Sequence, residues 1–487
     1  MKRKPITETT RAAAAALILL LGAGCVVGPR YERPVAPAPP AYKEAPPQGW
    51  KEAQPGDGAL RGKWWEIFQD AALNELEEQV SISNQNVLMA EAQFRQAAAA
   101  IGVARSALFP AASGSVSVTG SRSSASMLGS PPAGVGSTGT YVLPLGASYT
   151  ADVWGSIRRG VSASTAEAQA TSAQLANVRL LFQAELASDY FQLHGLDGDE
   201  ELLQRNVKSY GEYLQLTRDR FAFGVASDSD VAQAETQLYT TAAELTDVQV
   251  ARAQLEHAIA ILIGKPPAVV SIPRAPLRGS PPVVPVEMPS ELLERRPDIA
   301  AAERQVAAAN EQIGIAKAAF FPALTLSVST GLQSSSFVDW LSWPSRFWSL
   351  GPQFAEVLFD AGRRRGQVRE AQAAYDATAA NYRQTVLTAF QQVEDNLSAL
   401  RVLGGEAEIA NDAVRSALRS VAVSTAQYKA GTATYLQVIT AQAAALADEK
   451  LAVDLLTRRM VASVQLIEAL GGGWDRLLAP PKTGIGP

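Results

Sequence analysis

The stretch IGVARSALFP at 101–110 returns as IGIAKAAFFP at 313–322, and the residues after each copy constrain the fold most. They read AASGSVSVTG and ALTLSVSTG. In the second, Leu324, Leu326 and Val328 alternate with Thr325, Ser327 and Ser329. Period two predicts a strand with one apolar face and one hydroxyl face. Charge is nearly missing: residues 106–151 hold one charged side chain, Arg122, and residues 318–338 hold none. A soluble sheet normally carries Lys, Glu or Arg on its wet face. Lipid-facing strands exclude charge, because an Arg or Lys there costs ~2–4 kcal/mol at the bilayer midplane. On this reading Leu324, Leu326 and Val328 face lipid, and Thr325, Ser327 and Ser329 face an aqueous bore. The competing reading is the edge of a soluble β-sandwich.

The repeat extends along the chain. WGSIRRG (154–160) aligns with DAGRRRG (360–366), and FAFGVASDSDVAQAE (221–235) with YKAGTATYLQVITAQ (428–442). Three matches in one order at nearly one spacing make a tandem duplication, with a period too long for a solenoid. Each half reads helix, strand, loop, strand, very long helix, turn, helix. The expected strands lie near 111–121 and 140–153, then near 322–333 and 348–359. The sequence thus divides into a first repeat over 61–265 (hairpin 111–153, tip 223–228) and a second over 290–474 (hairpin 322–359, tip 430–435). A Pro-rich linker at 266–289 joins them, and a tail follows at 475–487. Pro144 and Pro352 fall inside expected strands, where the missing N–H predicts a bulge or bend. Trp340, Trp343 and Trp348 suit an aromatic girdle at a membrane interface, or a hydrophobic loop core.

Residues 1–24 carry Lys2, Arg3, Lys4 and Arg11 before the run AAAAALILLLGAG, which reads as a secretory signal peptide. Cys25 follows at once and is the only cysteine, so no disulfide framework exists. A lone cysteine there resembles a bacterial lipobox, although Gly22 stands where leucine is usual. The expectation is an acylated Cys25 heading an extended, lipid-anchored segment over 25–60; the alternative is nearby cleavage and a free thiol. Beyond this signal, no run is long and apolar enough for a membrane helix. A spanning structure must then be a closed barrel. Four strands cannot close one, since the smallest use about eight. Several copies must share the wall, and strand counting alone allows a dimer or a trimer.

From Ile157 to Ala222 and from Gly362 to Ala430 there is no proline. Val368, Ala371, Tyr375, Ala379, Tyr382, Val386, Phe390, Val393, Leu397 and Leu400 form a seam near the coiled-coil period of 3.5. Gly195 with Gly198, and Gly404 with Gly405, mark either a bend or surface positions. Gly224 and Gly431 predict left-handed helix ends. Ser227 and Thr434 predict caps, with Ser227–Asp230 and Thr434–Gln437 as capping boxes, the second the clearer. Phe223, Gly224, Val225, Ala226 and Ser227, with Gly431, Thr432, Ala433 and Thr434, then form exposed tips suited to docking, or plain turns. Asp219, Arg220, Asp228 and Asp230 are candidate charges near an entrance, or solvated helix ends.

The net charge of −5 gives no basic footprint, which argues against nucleic acid. GVGSTG (134–139) matches a dinucleotide fingerprint but precedes a strand. His194 and His257 lack metal-ligand spacing. No catalytic or metal constellation emerges; the chain reads as a non-enzyme whose only prosthetic group is the lipid on Cys25.

CVVGPRYERP, KWWEIFQDAALNEL, MPSELLERRPDIAAAE, the tips FGVASDSDV and YKAGTATYLQV, and EALGGGW together resemble the TolC-like outer-membrane factor family, lipoprotein branch. Glu287 departs from a usual glycine. The resemblance implies a mainly α chain with a membrane β-barrel: a homotrimer whose twelve-stranded shared barrel sits on a long α-helical barrel, two tandem structural repeats per chain. It implies a passive outer-membrane conduit of a tripartite efflux system, exporting drugs or other small toxic compounds. Partners would be a periplasmic adaptor (membrane fusion) protein at the tips, an RND-type inner-membrane transporter and outer-membrane lipid. The gate residues stay unassigned. Two rivals stand beside it: a tunnel for type I protein secretion, and a periplasmic coiled-coil scaffold without a pore.

Overall fold

Duplication fixes the lengths of the elements. The computed structural model describes residues 26–36, 39–44, 62–122, 137–284 and 295–472. The signal segment 1–24, Cys25, Glu287 and the tail 475–487 lie outside the described residues. A short 3-10 turn, Trp64–Phe68, precedes helix α1 (Ala71–Ser83) and helix α2 (Gln85–Ser106). Strands β1 (Ala111–Gly114), β2 (Ser117–Ser121) and β3 (Thr138–Ala151) follow, then α3 (Ser156–Ala222) and α4 (Asp228–Leu262). The second half gives α5 (Pro297–Ala318), β4 (Ala323–Ser334), β5 (Arg346–Ala355), α6 (Arg363–Lys429) and α7 (Tyr435–Ala469). Helices α3 and α6 are 67 residues each, α4 and α7 are 35 each, and α2 and α5 are 22 each.

The chain forms two compact units. The first holds the sheet, built from Arg95–Ala170 and Ala302–Asn381 with the N-terminal residues up to Pro34. The second holds Val35–Phe94, Thr171–Ala301 and Tyr382 onward.

In the first unit the sheet is antiparallel, ordered β1/β2–β3–β4–β5. The expected bulges at the prolines are absent. Pairing keeps one constant register from Ala111↔Ser148 through Ser117↔Val142, and another from Ala323↔Ala355 through Leu332↔Arg346. Pro144 instead splits the first strand: with no N–H to give, it leaves the ladder broken between Gly114 and Ser117, where Ser115 N donates to Pro144 O at 3.2 Å. Across the other side Pro144 faces Gly331, where an added Cβ would lie 2.1 Å from Leu143 O. Only glycine admits that approach. The GVGSTG match runs into β3, not into a helix.

The N-terminal residues are stitched to this unit. Val27 N donates to Trp154 O at 3.2 Å, and Arg159 Nη2 donates to Pro29 O at 3.1 Å. Arg159, itself buried, pairs with Glu311 at 2.7 Å. The Tyr31 hydroxyl donates to Glu303 at 2.5 Å. Burial alone would raise the Glu303 carboxyl, but hydrogen bonds from Arg304 and Tyr31 hold it below its ordinary value.

The second unit contains the helical core. The seam on α6 is buried at Tyr382, Val386, Phe390, Val393, Leu397 and Leu400, as its 3.5 period predicts. Each such large side chain contributes roughly 1.5–3 kcal/mol on burial. Gly195 and Gly198 are not free surface positions. An added Cβ at Gly195 would lie 2.3 Å from Thr457 Oγ1, and one at Gly198 would lie 3.2 Å from Val453 Cγ1, so α3 and α7 meet at these glycines. Gly404 and Gly405 face open space.

The linker is pinned rather than loose. Arg252 Nη2 donates to Ile272 O at 2.7 Å, Ala275 N to Asp197 at 2.9 Å, and Arg274 pairs with Glu200 at 2.7 Å. Buried His194 also bonds Asp197, at 2.8 Å, so this histidine is structural. Burial would raise Asp197, yet His194, the Ala275 N–H and Arg252 together hold it below its ordinary value. Two of the sequence motifs also meet within this unit: Arg296 of RRPDI donates to Ala469 O of EALGGG at 2.9 Å.

Candidate channel wall and helical tips

Register sorts the sheet's side chains by face. Leu326 pairs with Tyr149 on one side and Pro352 on the other; Val328 pairs with Ala147 and Leu350. Alternation carries that face through Val118, Tyr141, Leu143, Leu145, Trp348 and Phe354. The opposite face carries Ser117, Thr119, Ser148, Thr150, Thr325, Ser327, Ser329 and Gln353. One face is therefore mainly apolar, with Thr330, Ser334 and Arg346 toward its helix-distal end, and the other is hydroxyl-rich. The apolar side chains are open: Trp348 is 78% exposed, Leu350 and Phe354 are 72% each, and Leu326 and Val328 are 42% each. Leu324 differs from its expected role. It shares the face but is buried, lying between Ala151 and Phe354 at the helix-proximal end, so it packs within the chain. The outer edges of β1/β2 and β5 have no strand partner among the described residues.

In the second unit, both long helices end in one motif. At Gly224 (φ 70°) the Gly224 N–H reaches Phe221 O at 2.8 Å, and the Val225 N–H reaches Arg220 O at 2.8 Å. At Gly431 (φ 77°) the matching bonds run from Gly431 to Tyr428 O and from Thr432 to Gln427 O. These are paired left-handed terminations of the Schellman type. The caps reverse the expected order. Ser227 and Asp230 form the full capping box, with Ser227 N donating to Asp230 Oδ2 at 2.9 Å. Thr434 makes no side-chain cap bond; Gln437 N bonds Thr434 O instead. The shorter Asp230 folds back onto the cap, whereas Thr434 leaves that task to its backbone.

Phe223, Gly224, Val225 and Ser227 are exposed and Ala226 is half-buried; Gly431, Thr432 and Thr434 are exposed and Ala433 is half-buried. Phe223 is 84% exposed and Val225 64%, so the first tip is the apolar one. Of the candidate charges, Asp219 accepts from Gln215 at 2.8 Å, Asp230 serves the cap, and Asp228 is exposed on the first turn of α4. Arg220 does more. Its Nη1 donates to Tyr428 O at 2.8 Å and its guanidinium lies 4.5 Å from the Tyr428 ring centre. Tyr213 OH meets Thr425 Oγ1 at 3.2 Å on the same pair of helices. Beneath them Leu214, Ala234, Tyr428, Tyr435 and Val438 form a small core. Burial pushes the Tyr435 phenol up. Sequence reasoning missed Tyr213, Tyr428 and Tyr435; the one available signal was the pair of tyrosines bracketing YKAGTATY. Behind the second tip, α6 and α7 leave a groove of about 780 Å³ lined by Ser416, Arg419, Val423, Leu436 and Gln437.

A sequence profile of the outer membrane efflux protein family matches residues 76–265 and 288–472, one segment in each repeat. The chain belongs to that family. This outer membrane efflux protein is 30% identical over 466 residues to the outer membrane protein OprJ of Pseudomonas aeruginosa, covering 95% of each chain. It is 29% identical over 468 residues to the toluene efflux pump outer membrane protein TtgF of Pseudomonas putida, covering 94% of this chain and 96% of that one. The solved outer-membrane channel OprN superposes with a TM-score of 0.83 at 28% identity, over 92% of this chain and all of the other. The fold is TolC-like, and the outer membrane efflux protein is a passive conduit rather than an enzyme. Its place is the outer membrane, as one component of a tripartite system with adaptor and inner-membrane pump.

Proposed function

We propose that three copies of this chain close their sheets into one barrel through the outer membrane, and that the tips receive a periplasmic adaptor linked to a proton-driven RND-type pump. The observation carrying this reading is the sheet itself: one mainly apolar, open face, one hydroxyl-rich face, and two edges without a strand partner among the described residues. Pairing β5 of one copy with β1/β2 of the next satisfies both edges and leaves no exposed ladder. Leu326 and Val328 then face lipid; Thr325, Ser327 and Ser329 face the aqueous bore. The exposed Phe223 and Val225 give the adaptor its apolar contact. Cys25 carries the lipid. The bonds at Val27 and Pro29 support this, because they hold the residues just after Cys25 against the base of the sheet.

The cargo follows the relatives' naming as a class: small toxic compounds, which a wide wet bore passes without a shaped pocket. Reconstitution of purified protein in planar bilayers tests the reading. Discrete conductance steps from an oligomer of three chains are expected; a monomer without channels would overturn it. Mass spectrometry of the mature N-terminus checks acylation at Cys25. Susceptibility of a deletion strain to solvents, antibiotics and metals identifies the cargo.

A further inference from the structure

The loop between β4 and β5 does not stand free of the sheet. Phe337 and Trp340 pack on Tyr141, with ring centres 5.6 and 5.7 Å away, and Tyr141 lies on the apolar face. Trp340 Nε1 donates to Leu332 O at 3.4 Å. The loop is braced internally, since Ser342 and Ser345 hydroxyls both donate to Asp339 O, at 2.6 and 2.7 Å. This folds the loop over the helix-distal end of the apolar face and sets Trp343 out, 75% exposed. The Arg346 guanidinium stacks on Trp343, 4.2 Å from the ring centre. Arg346 opens β5 on that same apolar face, opposite Leu332 and next to Trp348. No carboxylate pairs with it among the described residues. Arg122, the one charged residue of 106–151, follows β2 at the same end of the sheet.

We propose that Arg346 and Trp343 form a headgroup site for a phosphorylated glycolipid of the outer leaflet, of the lipid A class. Stacking on an indole occupies the flat face of the guanidinium and leaves its planar N–H edge free for a phosphate. Tryptophan at this level places its ring among acyl chains and its N–H among headgroups. The site continues the apolar band without a gap, through Trp348 and Leu350, so a ligand with acyl chains below and phosphate above matches both parts. Arg122 adds a second positive charge at that level. The inference rests on the membrane-spanning reading of the sheet.

The test uses full-length protein in mild detergent, with fluorescent bisphosphorylated lipid A as probe. Conductance is recorded on the same preparations. Arg346→Gln is expected to weaken binding roughly tenfold, the loss of one charge-assisted contact. Arg346→Lys should fall between, and Trp343→Leu should weaken binding with the charge intact. Dephosphorylated lipid A and inorganic phosphate should compete poorly. Equal lipid A binding by wild type and Arg346→Gln, in preparations that conduct, overturns the proposal. So does effective competition by inorganic phosphate, which would mark an adventitious anion site. Loss of the oligomer in Arg346→Gln with lipid A binding unchanged would assign the loop to contact between copies instead. Absence of channels in the wild type would bring down the membrane reading, and this site with it.

Discussion

Arg220 and Tyr428 are joined twice, by a hydrogen bond from Nη1 to the tyrosine carbonyl at 2.8 Å and by the guanidinium set 4.5 Å from the ring centre. The two residues end different long helices, so the pair ties one tip hairpin to the other. Arg220→Ala should lower stability by about 1.5–3 kcal/mol, as for loss of a hydrogen bond to a charged group. If the tie restrains the tips, single-channel conductance should rise in the same variant. Unchanged conductance beside a lowered melting temperature would reduce the pair to a structural brace.

Face assignment can be tested with two adjacent residues. Leu326→Arg should block membrane assembly, since an exposed cation at mid-bilayer costs ~2–4 kcal/mol per copy. Ser327→Arg should assemble and change the ion selectivity of the channel. Heat-modifiable oligomer on gels reads the first effect and reversal potential the second. Equal tolerance at both positions would contradict the assignment.

The ladder at Pro144 depends on the glycine across from it. Gly331→Ala should prevent sheet formation, because the new methyl carbon would sit 2.1 Å from Leu143 O. Gly351→Ala, which meets nothing within 4 Å, should be neutral. Recovery of folded protein from membranes distinguishes them.

The caps should differ in strength. Ser227→Ala should cost ~1 kcal/mol, as usual for an N-cap side chain. Thr434→Ala should cost much less, because Thr434 makes no cap bond through its side chain. Denaturant titration of the two variants gives the comparison, and equal losses would refute it.

Stability should also depend on pH through two carboxyls of α3. Burial pushes Asp189 up to about 6, with Glu185 adding to it, and burial likewise pushes Asp199 up to about 6. A carboxyl whose folded value is raised favours the protonated form. Its stabilising contribution is complete below the unfolded value near ~4 and is lost as pH rises through the folded value. Asp189→Asn and Asp199→Asn should therefore raise the melting temperature at about pH 8 and change little at about pH 4. A gain that grows on acidification would have the wrong sign.

Much of this was legible because it is local. The seam from Tyr382 to Leu400 shows its period in the sequence, and Gly224 and Gly431 announce their turns. The alternation at Leu326 and Val328 declares a two-faced strand. What stayed hidden depended on partners far along the chain. Arg220 and Tyr428 are 208 residues apart, so no window around either reveals the tie. Leu324 reads like Leu326 in the sequence, yet its place between Ala151 and Phe354 covers it. Pro144 misled because a missing donor can be absorbed by breaking a ladder as well as by bulging it, and Pro352 because it lies on a terminal strand whose one ladder runs through it unbroken. Gly195 and Gly198 read as a bend or as surface positions, because the side chains they make room for, Thr457 and Val453, lie more than 250 residues away.

Equal lengths in α3 and α6, and in α4 and α7, impose a bookkeeping rule on the gene. A deletion of three or four residues in one coil would pull back one tip by about 5 Å, at 1.5 Å per residue, and part Arg220 from Tyr428. Insertions and deletions in the helical hairpins should thus survive only when mirrored in the other half. Each half acts as the ruler against which the other is measured.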